Sequence, residues 1–204
     1  MKKKTVALLM AGVLAVGCVV GGSLAWLVST PGAVTNTFTV GDINATLDEA
    51  HVDANGKEIT GVERVTENNY TVIPGDSIDK DPTVHILQGS EKCYVFVCID
   101  DQMNAALDDC AGYSVPASWT KVKTEGSKTV YKYNAVVDAS AEQKDLLVFD
   151  GVTIDGEKVT KDTIETLTGK KIIVNAYAYQ AENVTELDAQ AAALEHFFPT
   201  TQQG

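Results

Sequence analysis

Apolar and polar residues alternate with a period of two near the start of the charged part of the chain. The first such segment contains Asn36, Thr37, Phe38, Thr39 and Val40. Phe38 and Val40 fall on one side of it, and residues 43–47 repeat the alternation after Gly41-Asp42. Alternation of this kind is typical of strands with one buried side, and glycine favours a corner between them. The pattern therefore predicts two β-strands.

Residues 93–99 are apolar at every position and rich in β-branched and aromatic side chains. Such a run predicts a central strand covered on both faces. Residues 119–124 and 129–137 flank Glu125-Gly126-Ser127, which indicates a hairpin, whereas residues 50–69 carry few large apolar side chains and predict an exposed loop or hairpin. Further strands are predicted at residues 70–73, 83–87, 146–149, 152–154 and 171–180.

Two short helices are predicted, at residues 161–167 before Gly169 and at residues 186–198 before Pro199. The second begins with a capping pattern at Thr185. Its apolar residues at helical spacing are Leu187, Ala191, Leu194 and Phe198. About nine short strands with little helix between them favour an all-β fold, an antiparallel β-sandwich with one or two short helices.

The N-terminal segment has the features of an export signal. Lys2, Lys3 and Lys4 precede a stretch without charge from residue 6 to residue 28. Ser23 and Ala25 supply the small residues that signal peptidases require at positions −3 and −1 of a cut before Trp26. We therefore predict a signal peptide at residues 1–25 and one β-sandwich domain at residues 26–204.

Two alternatives for this segment remain open. The stretch is long enough for an uncleaved membrane anchor, although Gly12, Gly17 and the pair Gly21-Gly22 weaken the helix. Cys18 comes after a glycine and an apolar run, as in a lipoprotein, but the residues on its C-terminal side are still hydrophobic. All three routes place the body outside the membrane and the lysines inside, with a membrane contact only through an uncleaved signal segment.

The chain is acidic, with a net charge of −12, and three of its sixteen basic residues lie in the first four positions. A strongly acidic body repels phosphates, which argues against nucleic-acid partners and against attachment to anionic membrane surfaces. Because 45% of the residues are hydrophobic, a folded core is expected and intrinsic disorder is excluded.

No catalytic, cofactor or metal site is predicted from the motifs. His51, His85 and His196 are far apart in sequence, and neither a His-Glu-x-x-His helix nor a Gly-x-Ser-x-Gly turn occurs. The acidic residues of the 75–82 loop, Asp76, Asp79 and Asp81, are spaced closely enough to bind a hard cation, but not as in an EF-hand. The alternative is a loop whose aspartates accept hydrogen bonds from local backbone amides.

Three cysteines lie outside the signal segment. Cys93 and Cys98 are five positions apart in one predicted strand, so they point to opposite faces and cannot pair with each other. A disulfide between Cys98 and Cys110 is possible, and three buried thiols are the alternative.

Several segments together resemble the TasA/camelysin family of exported Gram-positive proteins. They are GGSLAW at 21–26, VTNTFTVG at 34–41, IPGDSIDKDPTV at 73–84, CYVFV at 93–97 and NAYAYQAE at 175–182. The three body cysteines, the 50–69 loop and residues 100–128 depart from the family pattern.

The resemblance implies a jelly-roll-like β-sandwich that is released by a SipW-type signal peptidase. It also implies a secreted, extracellular protein of the cell surface or biofilm matrix that self-assembles into a homo-oligomer or fibre, or binds other matrix proteins. The alternative function is a secreted camelysin-type metalloprotease, for which the chain shows no zinc motif. Residues 36–40 form the candidate assembly strand, which either inserts into a neighbouring copy or pairs within its own domain.

We expect the exported chain to begin at Trp26, because Ser23 and Ala25 fit the peptidase specificity. N-terminal sequencing of protein from the culture fluid measures this directly. Recovery of the chain in the membrane fraction with Met1 retained would instead identify residues 6–28 as an anchor.

Overall fold

The structure, a computed structural model, describes the backbone of residues 29–199 and the side chains of residues 39–199 except Tyr70. Most of this part of the chain forms strands and their connections, which confirms the all-β class. The strands are β1 (Ser29–Val40), β2 (Ala45–Asp48), β3 (Glu67–Thr71), β4 (Ser77–Ile78), β5 (Thr83–Ile86), β6 (Cys93–Asp101), β7 (Ala111–Gly112), β8 (Trp119–Glu125), β9 (Lys128–Tyr133), β10 (Lys144–Leu147), β11 (Val152–Ile154) and β12 (Ile172–Gln180).

The largest sheet has six strands in the order β3-β1-β12-β6-β9-β8. Its interior strands β6 and β12 are antiparallel and form nine residue pairs, from Ile172 opposite Asp101 to Gln180 opposite Cys93. In β6 the side chains of Val95, Phe96, Val97, Cys98 and Ile99 are all buried. The prediction of a central strand covered on both faces is confirmed.

Two smaller sheets, β10-β5-β2 and β4-β11-β7, cover one face of the large sheet. One apolar cluster joins all three sheets, because inward residues alternate along each strand. From the large sheet it includes Val95, Val97, Ile99, Val174, Ala176 and Ala178, and from the small sheets Leu47, Ile78, Val84, Ile86, Leu146, Val152 and Ile154.

The predicted antiparallel arrangement is wrong for one pair of strands. β1 runs parallel to β12, with Val34 opposite Val174 and Val40 opposite Tyr179, and the register shifts between Thr35 and Phe38. A parallel pair needs a long connection, and here most of the chain separates the two strands. The other neighbour of β1 is β3, which is antiparallel to it.

Helix α2 (Glu186–Phe197) covers the opposite face of the large sheet. The Thr185 hydroxyl caps it by accepting a hydrogen bond from the Asp188 backbone N–H at 3.2 Å, as the capping pattern predicts. Ala189, Ala193 and Phe197 face the sheet, where a second apolar cluster contains Phe96, Cys98, Val130 and Tyr177.

The predicted apolar side of this helix is wrong at Leu187, which is 75% exposed, and at Ala191, which is also exposed, whereas Leu194 and Phe198 are partly buried against the second cluster. Small residues one turn apart allow the helix to approach the sheet closely, and the bulkier Leu187 lies outside that stripe.

The other predicted helix, at residues 161–167, is a single 3₁₀ turn at Ile164–Leu167, followed by Gly169 with a φ of 70°. An additional short helix, α1 (Gln102–Ala106), follows β6 and was not predicted. The Asp101 carboxylate begins α1 by accepting a hydrogen bond from the Asn104 backbone N–H at 2.9 Å. Within residues 29–199, none of the helices is long and apolar enough to cross a bilayer.

The hairpin predicted between residues 119 and 137 is formed by β8 and β9, with Gly126 at a φ of 60° in the turn. β8 is the outer strand of the large sheet and carries Lys121 and Lys123, between which the register shifts. Lysines and a bulge on an edge strand disfavour pairing with another edge.

The helix contact predicts a position-specific effect on stability. Ala193→Leu should lower the free energy of unfolding by about 1–3 kcal/mol, because the added side chain overpacks the interface with the sheet. The control Ala191→Leu adds the same atoms on the exposed side and should change stability by less than about 0.5 kcal/mol. Urea denaturation of both variants measures the difference, and equal effects would contradict this packing.

Candidate functional site

The residues singled out by the signal and assembly predictions lie at the N-terminal side of the described chain. Ser23, Ala25 and Trp26 are outside the described residues. Residues 36–40 form the last part of β1, and Phe38, Thr39 and Val40 pair in register with β12. The segment thus pairs within its own chain here. Val40 is partly buried against the cluster below α2.

Two aspartates of the 75–82 loop, Asp79 and Asp81, bond to residues 50–64. Asp79 pairs with Lys57 at 3.2 Å and accepts a hydrogen bond from the Glu58 backbone N–H at 3.1 Å. Asp81 accepts one from the Ala50 backbone N–H at 2.6 Å. The backbone amides that donate to Asp79 and Asp81 are therefore distant from these aspartates in sequence, whereas the loop alternative predicted amides of the same loop. Between residues 29 and 199, no three His, Cys, Asp or Glu side chains are grouped to hold a metal ion.

Arg64 connects the loop of residues 50–66 to this segment and to β2. Its Nε donates to Asp48 Oδ1 at 2.5 Å and its Nη1 donates to Asp81 Oδ2 at 2.7 Å. Burial lowers the pKa of Arg64, but the hydrogen bonds to Asp81 and Asp48 outweigh it, and the net shift is upward. The Arg64 guanidinium thus attaches the loop to both Asp48 and Asp81 by charge-assisted hydrogen bonds.

His85, in the middle strand of the sheet β10-β5-β2, lies between two aspartates from the neighbouring strands. Its Nδ1 is 2.7 Å from Asp145 Oδ1 and its Nε2 is 2.9 Å from Asp48 Oδ1. Burial lowers the pKa of His85, but hydrogen bonds to Asp145 and Asp48 raise it more, and the net shift is upward. The same contact with His85 lowers the pKa of Asp145. Because both ring nitrogens have a carboxylate partner, His85 links β5 to β2 through Asp48 and to β10 through Asp145.

Next to these partly exposed groups in the chain is a buried polar cluster of Glu49, Asn68 and Lys80, whose exposed fractions are 0%, 4% and 1%. Glu49 follows β2, Asn68 belongs to β3, and Lys80 lies between β4 and β5. Lys80 Nζ donates to Glu49 Oε2, and Asn68 Nδ2 donates to Glu49 Oε1 at 3.0 Å. One carboxylate therefore bonds to both an amine and a carboxamide.

The Asn68 carboxamide is held at both of its polar atoms. Its Oδ1 accepts a hydrogen bond from the Val52 backbone N–H at 3.0 Å, and its Nδ2 donates a second one to the Ala50 carbonyl at 2.7 Å. Sequence reasoning missed this cluster. Lys80 stands in Asp-Lys-Asp and Glu49 follows an aspartate, and such charged runs are typical of exposed loops.

Cys93, Cys98 and Cys110 are buried thiols without a disulfide. Cys93 and Cys110 belong to the core between the sheets, whereas Cys98 belongs to the cluster under α2. Of the two alternatives left open by the sequence, the structure therefore shows three thiols. Burial raises the pKa of Cys93 to about 12 and those of Cys98 and Cys110 to about 11. Thiols that stay protonated at neutral pH are poor nucleophiles.

The chain matches no known protein-family model, no characterised protein and no solved structure. The resemblance to the TasA/camelysin family therefore stays a prediction from five short segments of the sequence.

The His85 bridge predicts a pH-dependent contribution to stability. A histidine whose pKa is raised by folding stabilises the protein fully below its ordinary value of 6.5, and the contribution disappears as the pH rises through the raised folded-state pKa. The stability advantage of wild type over His85→Gln should therefore be largest below pH 6.5 and should shrink as the pH is raised to alkaline values.

Urea denaturation at one pH below 6.5 and at one alkaline pH measures the difference in the free energy of unfolding between wild type and His85→Gln. His51 is exposed, so the control His51→Gln should show the same stability as wild type at both. An advantage over His85→Gln that does not change with pH would contradict a charged bridge.

Proposed function

We propose that the protein is a secreted structural component of the cell surface or biofilm matrix of a Gram-positive bacterium. In this proposal a SipW-type signal peptidase releases a jelly-roll-like β-sandwich, which then associates with further copies of itself. The resemblance of five segments to the TasA/camelysin family motivates the proposal, and the position of β1 supplies its structural support.

β1 is the observation that carries the assembly proposal. It is the first described strand, yet it lies between β3 and β12 and so fills an interior position of the large sheet. On its C-terminal side the chain turns at Gly41, whose φ is 104°, before β2 begins. A terminal strand of this kind can leave by opening one connection, and the same strand of another copy can replace it by main-chain hydrogen bonds.

The β8 edge of the large sheet supports strand exchange over stacking at that edge. β8 presents Lys121, Lys123 and a register shift at one edge, and such features oppose addition of a strand there. The gap left by β1, by contrast, would be bounded by β3 and β12, two strands that already pair with the main chain of a β1 segment. Insertion at this position would satisfy donors and acceptors on both sides.

The charged groups of the described residues favour a structural role over the metalloprotease alternative. Arg64, Asp81, His85 and Asp48 bond to one another across strands and loops, and the three thiols are buried. These contacts hold chain segments together and leave the charged groups engaged with one another. No observation on the described residues favours proteolysis.

The assembly proposal predicts that a chain beginning at Trp26 forms fibres and that a variant beginning at Thr39 does not. The shorter variant lacks most of β1 and has no strand to donate. Electron microscopy of both proteins at equal concentration measures fibre formation, and circular dichroism establishes that the Thr39 variant is folded.

Mixing the two proteins sharpens the test. The Thr39 variant can accept a strand but cannot donate one, so a minor fraction of it should shorten fibres of the Trp26 form. Fibres made by the Thr39 variant alone, an unfolded Thr39 variant, or a Trp26 form that stays monomeric under all conditions would contradict strand exchange.

A further inference from the structure

The buried cluster of Glu49, Asn68 and Lys80 places an amine, a carboxylate and a carboxamide in contact inside the protein. We propose that this cluster is a self-modification site, at which Lys80 and Asn68 become joined by an isopeptide bond with Glu49 as the proton carrier. The inference does not depend on the proposed matrix function.

Lys80 is positioned as the nucleophile. A lysine amine attacks carbonyl carbon only after losing a proton, and desolvation beside a base is the usual way in which proteins achieve this. Nζ donates to Glu49 Oε2, and both side chains are almost completely buried. Transfer of one proton along this hydrogen bond converts an ion pair into a neutral amine and a carboxylic acid, which are less costly to bury.

Asn68 is positioned as the electrophile. The Val52 backbone N–H, 3.0 Å from Oδ1, polarises the carboxamide and can stabilise the negative charge that develops on this oxygen during attack. Glu49 Oε1, 3.0 Å from Nδ2, can return a proton to the nitrogen that must leave. The Ala50 carbonyl fixes the orientation of the same nitrogen.

The reaction balances without an oxidant or a cofactor. The Lys80 Nζ–Asn68 Cγ bond forms and the Asn68 Cγ–Nδ2 bond breaks. Glu49 carries two protons in succession from Nζ to Nδ2, so the leaving group departs as ammonium and Glu49 ends as a carboxylate. The product is a secondary amide, and the protein loses the atoms of one ammonia molecule.

The bond would link two parts of the fold that are joined otherwise by non-covalent contacts. Asn68 belongs to β3, the edge strand of the large sheet opposite β8, and Lys80 precedes β5, the middle strand of a small sheet. A covalent link here would hold the edge strand onto the opposite layer and would restrain the connection of residues 69–79 in the unfolded chain.

Intact mass spectrometry of the purified, folded protein, with its N-terminal residue established by sequencing, tests the proposal. The expected mass is lower than that of the sequence by one ammonia. Digestion should yield a branched peptide in which the side chains of Lys80 and Asn68 are joined. A folded wild-type protein with the full sequence mass would overturn the proposal, as would a bond between Lys80 and Glu49, which releases water instead.

Variants separate this reaction from other losses of ammonia. Asn55-Gly56 can lose ammonia by forming a succinimide, so the control Asn55→Ala should keep the mass deficit. Lys80→Arg should have the full mass of its own sequence, because the guanidinium stays protonated at neutral pH and is not a nucleophile. A deficit that persists in Lys80→Arg would place the loss elsewhere and overturn the assignment.

Two further substitutions test the roles of the partners. Glu49→Gln keeps the shape of the side chain but cannot carry protons, so its folded fraction should have the full mass. Asn68→Asp presents a carboxylic acid at the same place, and its cross-linked product should lack one water in place of one ammonia. A folded Glu49→Gln protein with the complete mass deficit would contradict the role of Glu49.

Discussion

The pairing of β6 with β12 is the constraint on which the rest of the structure depends. The two strands run side by side over nine residue pairs. Alternate residues of β6 enter different apolar clusters, Val95, Val97 and Ile99 on one face and Phe96 and Cys98 on the other. Both layers that cover the large sheet are therefore positioned by one strand, and a polar residue at any of these places would need a buried partner.

The region between β2 and β5 is held largely by hydrogen bonds of polar side chains. Residues 50–66 contribute few side chains to the core, and Arg64 fixes them from the solvent side through Asp48 and Asp81. On the buried side, Lys80 Nζ donates to Glu49 Oε2, and removal of either side chain would leave the polar group of the other without this partner in the interior. The geometry around Asn68 consequently depends on its hydrogen bonds to Glu49, Ala50 and Val52.

The strands could be predicted from the sequence where the spacing of apolar residues matches the pattern of buried side chains in the structure. Residues 93–99 and the hairpin around Gly126 were predicted because continuous or alternating apolar residues leave little choice of structure. The direction of the strand beside β12 could not be read, since a period of two is the same for parallel and antiparallel neighbours.

Other failures have equally physical reasons. Hydrophobicity pointed to Leu187 as a contact of α2, whereas close approach to the sheet selected Ala189 and Ala193. The burial of Lys80 could not be predicted from the residues around it, because its partners Glu49 and Asn68 are distant in sequence and only the folded chain brings the three together.

The parallel arrangement of β1 and β12 has a mechanical consequence. A force that pulls Ser29 away from Gln180 acts at opposite ends of two neighbouring strands that run in the same direction. Such a load slides the strands past each other, so the hydrogen bonds between them resist together and not one after another, as they would in peeling. The parallel direction of β1 and β12 therefore makes this pair of strands resistant to a force applied between Ser29 and Gln180.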